Sequence, residues 1–101
     1  MSERRRTRRR PVDVFFNKYL GGHPHLCRAL DLSPAGMQVV VLSEPDGAMD
    51  SFPLELRLPG DQKTLWLWGR CVRRNDRKQA IEFVGLSEAA RRRIARYVQV
   101  A

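Results

Sequence analysis

The chain has 101 residues, 43% hydrophobic and 30% charged, which is enough apolar material for one packed core and too little length for two. No apolar stretch approaches the ~20 residues of a helical bilayer span, and two cysteines, Cys27 and Cys71, are too few for a disulfide framework. Nineteen Lys and Arg against eleven Asp and Glu leave a net charge of +8, most of it in the first ten residues, where six arginines stand against Glu3.

Those arginines open a leader, residues 1–11, with no apolar side chain between Met1 and Pro11. Nothing there can bind it to a core, so it is expected to move freely until an anion orders it. All its cations are arginines, whose planar fork suits phosphate oxygens or a guanine edge better than a lysine's point charge does. No apolar run follows, because Pro11, Asp13, Asn17 and Lys18 interrupt it, so the leader does not read as a secretion signal. Both cysteines are therefore expected to be free thiols in a reducing, cytoplasmic setting.

From Val12 the chain reads as short strands divided by turn residues. Val12 to Tyr19 is rich in Val, Phe and Tyr and ends at Gly21-Gly22. His25 to Leu32 alternates Leu26, Arg28, Leu30 and Leu32 with Cys27, Ala29 and Asp31, which predicts one apolar face broken only by Arg28. After the turn Ser33-Pro34-Ala35-Gly36 comes the apolar run Met37 to Leu42, expected to be a central strand, closed by Pro45-Asp46-Gly47. Phe52, Leu54, Leu56 and Leu58 recur at period two and end at Pro59-Gly60-Asp61. Leu65 to Arg74 and Gln79 to Val84 form a hairpin joined through Asn75-Asp76. At Ser87 the period changes, and Ala90, Ile94, Tyr97 and Val98 make one stripe of a helix over 87–99 with Ser87 as its N-cap. Arg91, Arg92, Arg93 and Arg96 then read as the wet face of that helix. Six strands and one terminal helix, an all-β barrel or sandwich over 12–101, are the expected architecture.

Two groups stand out from this pattern: Arg5-Arg6-Thr7-Arg8-Arg9 ahead of the first strand, and Asp31-Leu32-Ser33-Pro34-Ala35-Gly36 after the second, with 21 residues between Arg9 and Asp31. They form RxxxR followed by DxSxxG. In this order and spacing the pair resembles the PilZ domain family, whose members bind the bacterial second messenger cyclic di-GMP on the outside of a six-stranded barrel. Pro11-Val12-Asp13 is similar to the family's first strand and Gly69-Arg70-Cys71-Val72-Arg73 to its fifth. Ala80-Ile81-Glu82-Phe83 followed by Leu86-Ser87 is similar to its last strand and the start of its closing helix.

The resemblance implies a six-stranded antiparallel barrel with a C-terminal helix and cyclic di-GMP as ligand, either one molecule or a stacked pair; no cofactor is expected, and the lack of any catalytic motif leads to the expectation of no enzyme activity. Arg4/Arg8, Arg5/Arg9 and Arg6/Arg10 all satisfy RxxxR. Arg5/Arg9 is preferred because the family's second arginine usually stands two residues before the Pro-Val pair. An arginine fork meets guanine O6 and N7 or a phosphate, and the Asp31 carboxylate accepts from guanine N1–H and N2–H. Ser33 adds a hydroxyl, and Gly36 is expected to permit the turn and a close approach of ligand. A bidentate Arg–guanine pair discriminates by ~1–3 kcal/mol, whereas ordering each leader residue costs ~1–2 kcal/mol. Arg4 and Arg8 are accordingly expected to add phosphate contacts.

Alternation puts Leu65 and Leu67 inward and leaves Trp66, Trp68 and Arg70 outside. Trp68, ahead of Trp66, is a candidate to stack on a guanine, with burial under the helix or in a dimer contact as the alternatives. His23, His25, Cys27 and Cys71 lack the spacing of a metal site, and no nucleophile, phosphate-loop or paired-carboxylate motif appears. Expected partners are cyclic di-GMP and a downstream protein, without membrane insertion. The competing readings are a basic RNA- or DNA-binding barrel, which would give Asp31 and Ser33 no work, and an adaptor that acts through its exposed tryptophans.

Overall fold

A computed structural model describes residues 8–43 and 51–99. Arg4 and Arg5 and the turn at Pro45-Asp46-Gly47 lie outside the described residues. The elements are β1 (Arg10–Leu20), β2 (His23–Ser33), β3 (Gly36–Val41), β4 (Ser51–Arg57), β5 (Thr64–Asn75), β6 (Lys78–Val84) and α1 (Glu88–Gln99). All six strands pair antiparallel and close into a barrel in the order β1-β2-β3-β6-β5-β4. Closure leaves no unpaired strand edge, so the Met37 to Leu42 run needs no special central place: every strand has two neighbours. Its inner side is Met37, Val39 and Val41, while Leu42 lies past the strand and is 41% exposed.

β1 begins at Arg10, two residues before the expected start, which draws the end of the leader into the sheet. Gly21 and Gly22 adopt φ of +59° and +85°, the positive values that a two-residue hairpin between Leu20 and His23 requires. Phe16, Leu20, Cys27, Ala29, Leu32, Met37, Val39, Phe52, Leu54, Leu56, Leu65, Leu67 and Ile81 fill the interior, and α1 closes one end with Ala90, Ile94 and Val98. Ser87 Oγ accepts from the Ala90 amide at 3.1 Å, the N-cap that the sequence predicts.

Two sequence expectations fail inside the barrel. The inner face of β2 is Cys27 and Ala29, not Leu26 and Leu30: Leu26 is 41% exposed. A register shift between Ala29 and Asp31 then turns Leu32 inward, so the strand carries two alternating faces joined by a bulge instead of one apolar face. Lys18, read from sequence only as a break in apolarity, is fully buried between the inward Phe16 and Leu20. Its ammonium donates to Gln79 Oε1 at 3.2 Å and stands 4.5 Å from the centre of the Phe52 ring, partners that make burial of the charge tolerable.

Candidate functional site at the leader root

The bulge in β2 lifts Asp31 to the outer surface opposite Pro11 of β1 and Gln38 of β3. Asp31 Oδ1 accepts the Gln38 backbone N–H at 3.1 Å and the Arg9 Nη1 at 2.9 Å. The second motif arginine is therefore already on the motif aspartate. Of the other leader arginines described, Arg8 is exposed, and Arg10 turns away to α1, where its Nη1 donates to the Tyr97 carbonyl.

Ser33 and Gly36 stand beside this pair in a different capacity from the one their motif suggests. Ser33 is fully buried, and its hydroxyl oxygen accepts the amides of Ala35 and Gly36, each at 3.2 Å, and donates to the Gly36 carbonyl at 3.3 Å. That is a serine stapling its own turn, with the hydroxyl committed to backbone. A Cβ on Gly36 would lie 2.0 Å from the Ile81 carbonyl oxygen. The missing side chain therefore serves the β3–β6 contact; close approach of a ligand is not what requires it here. Both residues hold Asp31 in place from behind.

Across β3 from this turn, Gly36 pairs with Glu82, and Glu82 with Arg70, whose guanidinium bonds the Glu82 carboxylate on the outer face. Both stand in segments that resemble the family's strands, but neither is among the ligand contacts expected from sequence; the alternation of β5 and β6 points both outward. Trp68 follows Arg70 on that face, 47% exposed, with Pro53 and Val84 as cross-strand neighbours. It lies three strands from Asp31 and five residues along β5 from Arg73, the residue in line with Asp31, which puts the two roughly 20 Å apart at ordinary strand spacing and rise. The Arg9–Asp31 cluster does not include it. A cavity of about 400 Å³ beside the Ser33–Gly36 turn is lined by Pro34, Ala35, Glu82, Phe83, Gly85, Leu86 and Arg91. Trp66, 64% exposed, instead meets Tyr19 of β1 at 5.9 Å between ring centres. Tyr19 donates to Glu55 at 2.6 Å, and that bond holds its phenol above the usual range.

Arg28, out of place in an apolar stripe, is explained by the structure: it faces outward and donates to Asp13 Oδ1 at 2.6 Å. The bond holds the Asp13 carboxyl below the usual carboxylate range and raises the guanidinium. Arg93 of the closing helix bonds Asp61 and the Lys63 carbonyl, so it belongs to the loop after β4 more than to a wet face. Among the described residues no three His, Cys, Asp or Glu side chains come together as a metal site, both cysteines are free thiols, and no helix is long and apolar enough to cross a membrane.

The site can exchange partners at little cost. Arg9 is 50% and Asp31 27% exposed, and such surface pairs contribute only ~0–1 kcal/mol. A guanine could take the carboxylate through its N1–H and N2–H, while the freed fork meets O6 and N7 or a phosphate.

No curated protein sequence matches the chain. Among solved structures it is similar to the Bacillus subtilis inhibitor of motility MotI/DgrA, with a TM-score of 0.77 and 21% identity over 97% of this chain. At that identity the likeness speaks to the fold, and the chain spans about half, 51%, of that protein. A PilZ domain model matches residues 3–99, the whole of the barrel, its helix and most of the leader. With a closed six-stranded barrel and a C-terminal helix beneath that match, the chain belongs to the PilZ domain family of cyclic di-GMP receptor and effector domains.

Proposed function

We propose that this chain binds cyclic di-GMP at the leader root, with Arg9 and Asp31 reading one guanine and Arg4, Arg5 and Arg8 adding guanine or phosphate contacts. Ser33 and Gly36 act through the turn that carries Asp31. The observation that supports this most directly is the 2.9 Å pair between Arg9 and Asp31, which joins the RxxxR and DxSxxG segments at a point where solvent reaches both side chains. Ordering of the leader over the barrel then presents a new surface to a downstream protein.

Calorimetry with cyclic di-GMP, with GMP as control, tests the reading. Binding of the dinucleotide that weakens as salt rises is expected, because several arginines contribute. No heat with cyclic di-GMP, or equal binding of GMP, would end it. Retardation of oligonucleotides without any response to the dinucleotide would favour the polymer-binding alternative. In a Trp66→Phe background, which leaves one tryptophan, Trp68 reports stoichiometry in the same titration. One dinucleotide on Arg9 and Asp31 leaves its fluorescence nearly unchanged, whereas a stacked pair extending across β6 quenches it, and Trp68→Phe then loses affinity only in the second case.

A further inference from the structure

Arg9 and Arg10 are neighbours in sequence with opposite destinations. Arg10 pairs with Leu32 across the β1–β2 ladder, and Leu32 is buried, so Arg10 projects to the inner side of the barrel rim. α1 closes the barrel at that rim. There the Arg10 Nη1 donates to the Tyr97 carbonyl oxygen at 2.8 Å, and its guanidinium carbon stands 4.1 Å from the centre of the Tyr97 ring. Tyr97 belongs to the last turn of α1, where carbonyls lack intrahelical donors and the dipole is negative. One guanidinium thus caps the helix and stacks on its aromatic side chain. On the other side of Arg10, Pro11 holds a fixed φ opposite Asp31.

We infer that Arg10 is a positioning residue for the ligand site: held on Tyr97, it is withdrawn from the outer surface and sets the register of the leader, so that Arg9 is the arginine that meets Asp31. The inference rests on the receptor reading above. Of the three spacings that satisfy RxxxR, Arg6/Arg10 would require Arg10 to release Tyr97, and Arg4/Arg8 would leave Arg9 on Asp31 beside the motif. Only Arg5/Arg9 uses the contact as it stands. The same anchor ties the ligand-binding face to the C-terminal turn of α1.

The test compares Arg10→Lys, which keeps the charge without the fork or flat face, with Tyr97→Leu, which removes the ring and leaves the leader untouched. Tyr97→Phe is the control, and a cooperative thermal transition in each variant establishes that it folds. Arg10→Lys and Tyr97→Leu are each expected to lower cyclic di-GMP affinity about three- to tenfold. The double variant should be no weaker than Arg10→Lys alone, because Arg10→Lys already gives up the stacking that Tyr97→Leu removes, while the bond to the Tyr97 backbone carbonyl depends on Arg10 only, and Tyr97→Phe should match the wild type. Additive losses would place Arg10 on the ligand itself and overturn the inference, as would wild-type affinity in Arg10→Lys. If the unmodified chain binds no dinucleotide, the receptor reading falls, and with it any role of Arg10 toward that ligand. Hydrogen exchange judges the anchor separately. Arg10→Lys must speed exchange in the last turn of α1, and unchanged protection there would overturn the anchor too.

Discussion

Two arginine–aspartate pairs in this barrel share their chemistry and differ in their wiring. Arg93 and Asp61 belong to a closed ring: Asp61 Oδ1 accepts the Lys63 amide at 3.0 Å, Oδ2 accepts Arg93, and Arg93 also donates to the Lys63 carbonyl at 3.1 Å. The ring staples the loop after β4 to α1, with both side chains about 30% exposed. Arg9 and Asp31 form an open pair. Among the described residues both of its bonds fall on Asp31 Oδ1, and half of the arginine faces solvent. A pair that fastens structure has its donors and acceptors consumed internally. A pair suited to trading one partner for another leaves an oxygen and most of a guanidinium for the newcomer.

The harshest way to break this contrast is to remove the support behind the open pair. Gly36→Ala drives a methyl into the Ile81 carbonyl, and is expected to cost about 3 kcal/mol or more, at or above the upper end for overpacking. Urea unfolding measures this, and a wild-type midpoint would contradict the β3–β6 contact. The comparison sharpens with Asp31→Ala against Asp61→Ala. Loss of a hydrogen bond to a charged group is worth ~1.5–3 kcal/mol, so Asp31→Ala should weaken cyclic di-GMP binding roughly 10- to 100-fold, with only the part of the melting temperature that the Gln38 amide bond supports lost alongside. Asp61→Ala should do the reverse, lowering the melting temperature while affinity holds. Equal effects on binding would show that the two pairs are not functionally distinct.

The smallest effect is in acid. The Arg93 hydrogen bond, then the Lys63 amide, hold the Asp61 carboxyl below the usual carboxylate range. A depressed folded value means that the stability it contributes is fully present above the ordinary carboxylate pKa, about 4. That contribution fades as pH falls through the lower folded value. Asp61→Asn should therefore flatten the loss of thermal stability below about pH 4. An acid limb identical to wild type would mean that the ring contributes nothing to pH dependence.

Much of this architecture is legible from local pattern. Period-two alternation places Leu65 and Leu67 inside and Trp66, Trp68 and Arg70 outside, as found, and Ser87 caps the helix as expected. The same rule misreads β2, because a bulge inserts a residue between Ala29 and Asp31 and reverses which side chains face inward. Motif reading brought Asp31 and Arg9 forward together. It assigned Ser33 and Gly36 to the ligand when their atoms are occupied by the turn and by β6. Nothing in the sequence separates Arg10 from the other five leader arginines; its contact with Tyr97 does.

By itself, the sequence determined the number and order of strands, the turns that divide them, the capped helix, and the charge that any ligand must answer. Each depends on neighbours within a few residues, where alternation, turn chemistry and capping operate. Tertiary structure alone decided which arginine reaches Asp31, why Gly36 has no side chain, and how Lys18 comes to be buried. Those outcomes are set by partners 22 to 61 positions away, such as Arg9 with Asp31 and Lys18 with Gln79, and no local rule encodes how a closed sheet brings such distant residues together.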